Sequence, residues 1–186
     1  MPSPLRLAPL ACLAPVLLAQ GTGDLNSLVL QAGRYADFAT AGQASRPVLT
    51  LYRIIGGSGD GANPVMRAGV DLQQWTLVYQ VEGPPPPAAG EAAQSLSVQC
   101  TRGMFNGLQW SQLPVFDARS LQWAWIAVSL DDAIAQLNRL GCTRGFSSLT
   151  VMRPLHPRFP DETTFIFKCE ADRLFVGISA QTGRKL

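Results

Sequence analysis

The fold prediction starts from residues 129–186, SLDDAIAQLNRLGCTRGFSSLTVMRPLHPRFPDETTFIFKCEADRLFVGISAQTGRKL. Asp131 and Asp132 lie within the first turn after Ser129, where carboxylates oppose the helix dipole. Gly141 stands where a residue that tolerates positive φ commonly ends a helix. The apolar residues between these points recur at helical spacing: Leu130, Ala133, Ile134, Leu137 and Leu140. The pattern predicts a helix that begins after Ser129 and ends near Gly141.

Three strands are predicted after this helix, over residues 146–153, 163–169 and 174–179. In each of them apolar and polar residues alternate, which places the apolar side chains on one face of a sheet. A short polar link, residues 170–173, joins the second and third strands, and the three strands are expected to form an antiparallel meander. An amphipathic helix and a meander with one apolar face can shield each other, with the helix lying across that face.

The last strand closes in residues 178–183, ISAQTG. Together with the helix and the meander, this strand and its small-x-Thr-Gly turn resemble the PepSY domain family over about the last third of the chain. The resemblance implies a small cystatin-like unit in a secreted or periplasmic protein, with an inhibitory or regulatory role. The family shares no catalytic residues, so the resemblance assigns none here.

The first half of the chain reads as a longer copy of the second. Asp24 is expected to cap a helix, and residues 49–53, LTLYR, match residues 149–153, LTVMR, at three of five positions. Further matches keep their order, and the extra length falls in residues rich in Gly and Pro that are typical of loops. The predicted fold class is α+β, with two tandem helix plus antiparallel β-meander units, each helix packed on one sheet face. This arrangement is similar to that of the β-lactamase inhibitor protein family.

The predicted domain boundaries follow from this duplication. Residues 22–103 form the first unit, residues 104–128 an aromatic-rich connecting segment, and residues 129–186 the second unit. The aromatic segment is interpreted either as a buried seam between the units or as an exposed surface, and the seam is favoured because large aromatic side chains are usually buried. The candidate binding residues are Trp75 and Tyr79 in the first unit, and Trp110, Trp123 and Trp125 in the connecting segment.

Composition narrows the function classes. The chain has 186 residues and a formal net charge of +2, from fifteen basic and thirteen acidic side chains. It has no run of basic residues of the kind that nucleic-acid binding requires, so a nucleic-acid partner is not expected. Hydrophobic residues make up 47% of the chain, which favours a folded core over disorder. Neither a cofactor nor a metal site is indicated.

Residues 1–21 are interpreted as a secretory signal peptide. Arg6 supplies a positive start, an apolar stretch follows, and Ala19-Gln20-Gly21 provides small residues for cleavage. A short membrane anchor is the alternative, but the apolar run is well under the ~20 residues that span a bilayer. A lipoprotein site at Cys12 fits less well, because almost no hydrophobic region precedes it. We therefore expect a periplasmic or secreted protein, with no stable membrane insertion after signal cleavage.

Removing Cys12 leaves Cys100, Cys142 and Cys169 in a compartment where disulfides persist. The simplest arrangement is one disulfide and one free thiol. We favour a bridge between Cys142 and Cys169, since both belong to the same predicted unit, over a bridge from Cys100 to either. The alternative is that all three are buried thiols on core faces.

His156 is the single histidine and lies between two prolines. It is a candidate acid or base, but an ordinary loop residue is the favoured interpretation, because no carboxylate or nucleophile is placed by the sequence to work with it. The functional hypothesis is an exported non-catalytic binding or inhibitory module that engages another protein. The alternative is a small-molecule-binding protein or enzyme that uses a pocket between helix and sheet.

Overall fold

The computed structural model describes residues 24–40, 47–59, 65–83, 93–121, 123, 126–157, 159–170 and 174–186. The predicted signal peptide lies outside the described residues. So does Trp125, one of the candidate binding residues.

Both predicted helices are confirmed, and both begin at a polar cap. Helix α1 is Leu25–Thr40, and the N–H of its residue Asn26 donates to Oδ1 of Asp24 at 3.0 Å. Helix α2 is Leu130–Arg139, and Oγ of Ser129 accepts from the N–H of Asp132 at 3.1 Å. These caps satisfy backbone donors that a first helical turn leaves without partners. In the described part of the chain, no helix is long and apolar enough to cross a membrane.

The strands form one antiparallel sheet. The strand bounds are β1 Val48–Gly57, β2 Gln74–Glu82, β3 Ser95–Thr101, β4 Met104–Ser111, β5 Ala118–Arg119, β6 Phe146–Pro154, β7 Thr164–Cys169 and β8 Phe175–Ser179. Their spatial order is β4-β3-β2-β1-β6-β7-β8, and short β5 pairs with β6. A 3₁₀ turn, Gly69–Asp71, lies between β1 and β2.

The predicted fold class, two tandem helix plus antiparallel β-meander units, is wrong. Strand β1 pairs with β6, with Ile54 opposite Val151, so strands from both halves of the chain join in a single sheet. A row of paired apolar residues then crosses all seven strands of the path without a break. From one edge to the other, the row contains Leu108, Val98, Leu77, Ile54, Val151, Phe165 and Ile178. Because opposite residues of paired strands share a face, this row makes one continuous apolar surface.

The two helices contribute to the same hydrophobic core. Leu28 and Ala32 of α1 and Ala133 and Leu137 of α2 are buried in one cluster with the apolar row of the sheet. The ring of Tyr35, on α1, stacks on Phe105 of β4 with centroids 5.4 Å apart. Since both helices cover the same sheet face, the molecule has one shared core rather than one core for each half.

The predicted connecting segment, residues 104–128, divides into several parts in the structure. Its first part is β4, which pairs with β3 in a hairpin, and its middle contains β5. Leu121 and Trp123 lie outside any strand. Instead, the N–H of Leu121 donates to the carbonyl of Leu51 at 2.8 Å, where β1 and β6 have diverged around β5.

Gly145 permits a close approach of two backbone segments. Its φ is +91°, and a Cβ added there would lie 2.4 Å from the carbonyl oxygen of Met66. Met66 and Phe146 exchange two backbone hydrogen bonds of 2.8 Å at this point. The Gly145→Ala substitution is expected to lower the free energy of unfolding by at least about 2 kcal/mol, since the left-handed conformation alone costs ~1–2 kcal/mol and the clash adds to it. Urea unfolding measures the loss.

Gly141→Ala is the matched control for this prediction. Gly141 has a φ of +98°, but no heavy atom lies within 4 Å of an added Cβ. Its substitution should therefore cost the backbone strain only, ~1–2 kcal/mol, without the added cost of a clash. Equal losses at the two positions would contradict the close approach at Gly145.

Candidate binding surface

The sheet face opposite the helices carries a second cross-strand row of residues, which we call the open face: Gln99, Thr76, Ile55, Thr150 and Ile166. The register places each of them directly opposite the next, from β3 to β7. All five are half-buried. Both helices pack on the other side, so this row lies on the face that neither helix covers.

One border of the open face is a segment that crosses the sheet after β4. Oγ of Ser95 donates to the carbonyl of Leu113 at 2.7 Å, and the N–H of Val115 donates to Oε1 of Gln80 at 2.9 Å. Arg53 then forms an ion pair with Asp117 further along the segment. Because these contacts come from three neighbouring strands, residues 112–117 are held across one end of the face.

The β8 side of the face is bordered by two other side chains. A Cβ added at Gly177 would lie 3.0 Å from the ring of Phe159 and 3.5 Å from Cβ of Leu186. The absence of a side chain at Gly177 therefore lets these residues approach the strand closely. The open face lies between this border and the crossing segment.

The five residues of the open face carry no charge. Arg53 lies on the same side of β1, and its guanidinium is paired with Asp117, which offsets its charge. Lys168 follows Phe167 of β7 and also points away from the core, outside the row itself. The surface thus mixes amide, hydroxyl and aliphatic groups, which suits contact with another neutral surface better than recognition of a charged small ligand.

Two of the predicted binding residues are buried instead of exposed. Trp75 and Tyr79 have 7% and 5% of their surface exposed, because both lie on the helix-facing side of β2. Burial, with a smaller contribution from Asp37, raises the pKa of the Tyr79 hydroxyl far above its ordinary value. The structure therefore makes these residues part of the core, where they do not reach a partner.

The other two described candidates lie apart from each other and from the open face. Trp110 is half-buried in β4, opposite Leu96, and packs against the core. Trp123 is half-buried near the start of α1, and its Nε1–H donates to Oδ1 of Asn26. The structure does not bring the predicted aromatic residues together as one exposed surface in the residues it describes.

A disulfide joins Cys142 and Cys169, whose Cα atoms are 5.8 Å apart. It ties the turn after α2 to the end of β7. Cys100 is a buried free thiol in β3, and burial raises its pKa. A buried thiol of raised pKa is a poor nucleophile, so Cys100 functions in packing.

His156 lines a cleft of about 320 Å³ together with Asp161, Arg119 and Phe159. Both carboxylate oxygens of Asp161 accept hydrogen bonds from arginines: Arg153 Nε and Nη2 donate at 2.7 and 2.6 Å, and Arg119 Nη1 donates at 2.7 Å. A carboxylate held in this way is a weak base and a poor partner for general acid–base catalysis. The cluster is therefore interpreted as a structural tie between the β6–β7 loop and β5.

The hydrogen bonds from Arg153, followed by the charges of the two arginines, lower the pKa of Asp161. Because the folded state favours the ionised form, this interaction stabilises the fold above the ordinary pKa of the carboxyl group. The contribution is lost as the pH falls through the lowered pKa.

In the Arg153→Gln variant, the pKa of Asp161 is expected to rise towards its ordinary value, because the hydrogen bonds from Arg153 are removed. NMR titration of the Asp161 carboxyl chemical shift across acidic pH measures this pKa. The Arg34→Gln variant, which changes a residue on α1, is the control. An unchanged midpoint in the Arg153→Gln variant would contradict this assignment.

A second cavity, of about 360 Å³, lies between the starts of the two helices. Asp24, Asn26, Trp123 and Asp131 line it together with apolar side chains. Asp24 already caps α1 through its carboxylate. Among the described residues, no group of three or more His, Cys, Asp or Glu side chains is placed to hold a metal ion.

No protein-family model, curated protein or solved structure matches this chain. The resemblance to the PepSY family therefore stays a prediction, and the functional argument depends on the residues and their geometry. Sequence reasoning missed the open face because it searched for clustered aromatic residues. The sequence contained a weaker indication of this face: the residues that alternate with the core-facing residues of β2, β3 and β6 include Ser, Thr and Gln and few charged residues.

Proposed function

We propose that this protein is an exported, non-catalytic binding module that contacts another protein through the open face. The observation that carries the proposal is the row Gln99, Thr76, Ile55, Thr150 and Ile166, which spans five paired strands on the side that the helices leave uncovered. Half-buried positions of this kind expose part of each side chain on a rigid support, which favours recognition without large rearrangement.

The dimensions of the sheet support a protein as the partner. Strands lie about 4.8 Å apart and rise about 3.3 Å per residue, so the five strands of the row, with six residues each, cover roughly 19 by 20 Å. That area is about half of the ~800 Å² that each partner contributes to a standard protein interface, so a partner of ordinary size also contacts the segments that border the open face. A small molecule is usually held in a concave pocket with a few convergent polar groups, and the open face supplies a broad row instead.

Export is the second part of the proposal. It is supported by the predicted signal peptide in residues 1–21 and by the disulfide between Cys142 and Cys169, since disulfides persist mainly in oxidising compartments. Cell fractionation of the full chain with an antibody tests this part. Recovery of the protein in the cytosol at full length would overturn it.

The binding proposal is tested with paired charge substitutions. Thr76→Arg combined with Thr150→Arg places two cations on the open face, on either side of β1. Ala135→Arg combined with Asn138→Arg adds the same charge on the exposed side of α2. We expect the open-face variant to weaken binding to a partner, identified by cross-linking in the exported fraction, by at least about tenfold, because buried unpaired charge at an interface costs more than 1.4 kcal/mol.

The control variant should bind within about twofold of the wild type, since rim and remote charges change affinity little. Circular dichroism of both variants checks that the sheet is intact. Equal binding by the open-face variant, with the affinity measured on purified partner, would place the interface elsewhere and overturn the proposal.

A further inference from the structure

The two edges of the sheet differ in what pairs with them. At β8 the chain folds back after the strand, and the N–H of Ser179 donates to the carbonyl of Arg184 at 2.8 Å. The N–H of Leu186 donates to the carbonyl of Gly177 at 2.9 Å, and Ile178 forms a bridge with Lys185. The protein's own C-terminal residues thus pair with the outer edge of β8 at Gly177 and Ser179.

The other edge is β4, and within the described residues β3 is the single strand that pairs with it. Proteins commonly protect an edge strand with charges, with proline, with short length or with a cover, because its outer N–H and C=O groups can template pairing with another chain. Strand β4 has eight residues and contains neither a charge nor a proline. The sequence has no charged residue at all between Arg102 and Asp117.

One protective device is present at this edge. The register between β3 and β4 shifts between Gln99 and Cys100, which leaves Asn106 as the extra residue of a bulge. A bulge interrupts the regular ladder locally. The part of β4 that keeps a regular register is therefore its second half, residues 107–111.

We propose that the edge of β4 pairs with β4 of a second copy of this chain, antiparallel and related by a twofold axis. A head-to-tail pairing of β4 with β8 of another copy is blocked, because the C-terminal residues already occupy the edge of β8. Self-pairing of β4 closes the assembly at two copies, as an isologous interface does. The neutrality of the strand favours a second copy as the occupant, since no like charges then face each other across the axis.

The regular segment also fixes where the axis lies. Gln109 is the centre of residues 107–111, and pairing about it places Leu108 opposite Trp110 of the other copy. Leu108 and Trp110 face the same side of the sheet, because they pair with Val98 and Leu96 of β3. The register therefore keeps apolar side chains on one face, as a continuous sheet requires. Gln109 itself is exposed and meets its own copy on the opposite side.

Sedimentation velocity of the full chain across low to high micromolar concentration tests the proposal. The wild type is expected to form a reversible dimer. Gln109→Lys and Gln109→Glu each place like charges together at the axis, and each should raise the dissociation constant by about tenfold or more. An equimolar mixture of the two variants should dimerise again, because opposite charges then meet at the axis.

Asn138→Lys is the matched control, since it adds the same charge on the exposed side of α2 and should leave the dissociation constant of the dimer unchanged. Thermal unfolding of each variant confirms that β4 remains folded. A wild type that stays monomeric at every concentration would overturn the proposal, as would dimerisation of both Gln109 variants at wild-type strength. Failure of the mixture to regain the dimer would also overturn it. These outcomes are measured as the oligomeric state, so they do not depend on whether a partner binds the open face.

Discussion

Replacing Phe167 with alanine is expected to lower the free energy of unfolding by about 3–5 kcal/mol, the range found when a buried aromatic side chain is truncated. Phe167 is fully buried in β7. Its ring meets that of Phe146 edge-on, with centroids 5.1 Å apart, and stacks against Phe165 at 6.5 Å. The cavity would therefore open inside the core that both halves of the chain share, where neighbouring side chains relax only in part.

Urea unfolding, followed by tryptophan fluorescence and circular dichroism, measures this loss. Phe175→Ala is the matched control, because Phe175 lies on the adjacent strand with 68% of its surface exposed. Its truncation should change the free energy of unfolding by no more than about 0.5 kcal/mol. If the two variants were destabilised equally, Phe167 would not occupy the buried position that the structure gives it.

Reduction of the disulfide is expected to have the second largest effect, a loss of about 3.5 kcal/mol. Cys142 and Cys169 are separated by 27 residues, and the entropy of closing a loop of this length in the unfolded chain gives a value of that size. Both cysteines are buried, so the bond is shielded from reductant in the folded protein. Unfolding in urea with and without dithiothreitol measures the difference at equilibrium.

Two variants separate the disulfide from other thiol effects. The Cys142→Ala, Cys169→Ala double variant should unfold at the same urea concentration with and without reductant. Cys100→Ala should keep the full sensitivity of the wild type to reductant, because Cys100 is a free thiol. If the Cys100→Ala variant lost the sensitivity to reductant, the disulfide would involve Cys100, and the pairing of Cys142 with Cys169 would be contradicted.

The sequence by itself determined the local structure. Ser129, Asp131 and Gly141 mark the ends of α2, and the structure places the helix between them, because capping and dipole interactions act within one turn. Alternation of apolar residues located β6, β7 and β8 and identified their inner faces.

The tertiary structure alone decided how these elements join. Alternation in β1 and β6 shows which side chains point inward, but it does not show which strand lies beside which, so the pairing of Ile54 with Val151 was not predictable. That pairing merges two expected sheets into one and places both helices over one core. It also leaves a neutral face and the edge of β4 as surfaces for partners. Hydrogen bonding along a strand edge is almost independent of side-chain identity, and the neighbour of each strand therefore depends on how the whole chain packs.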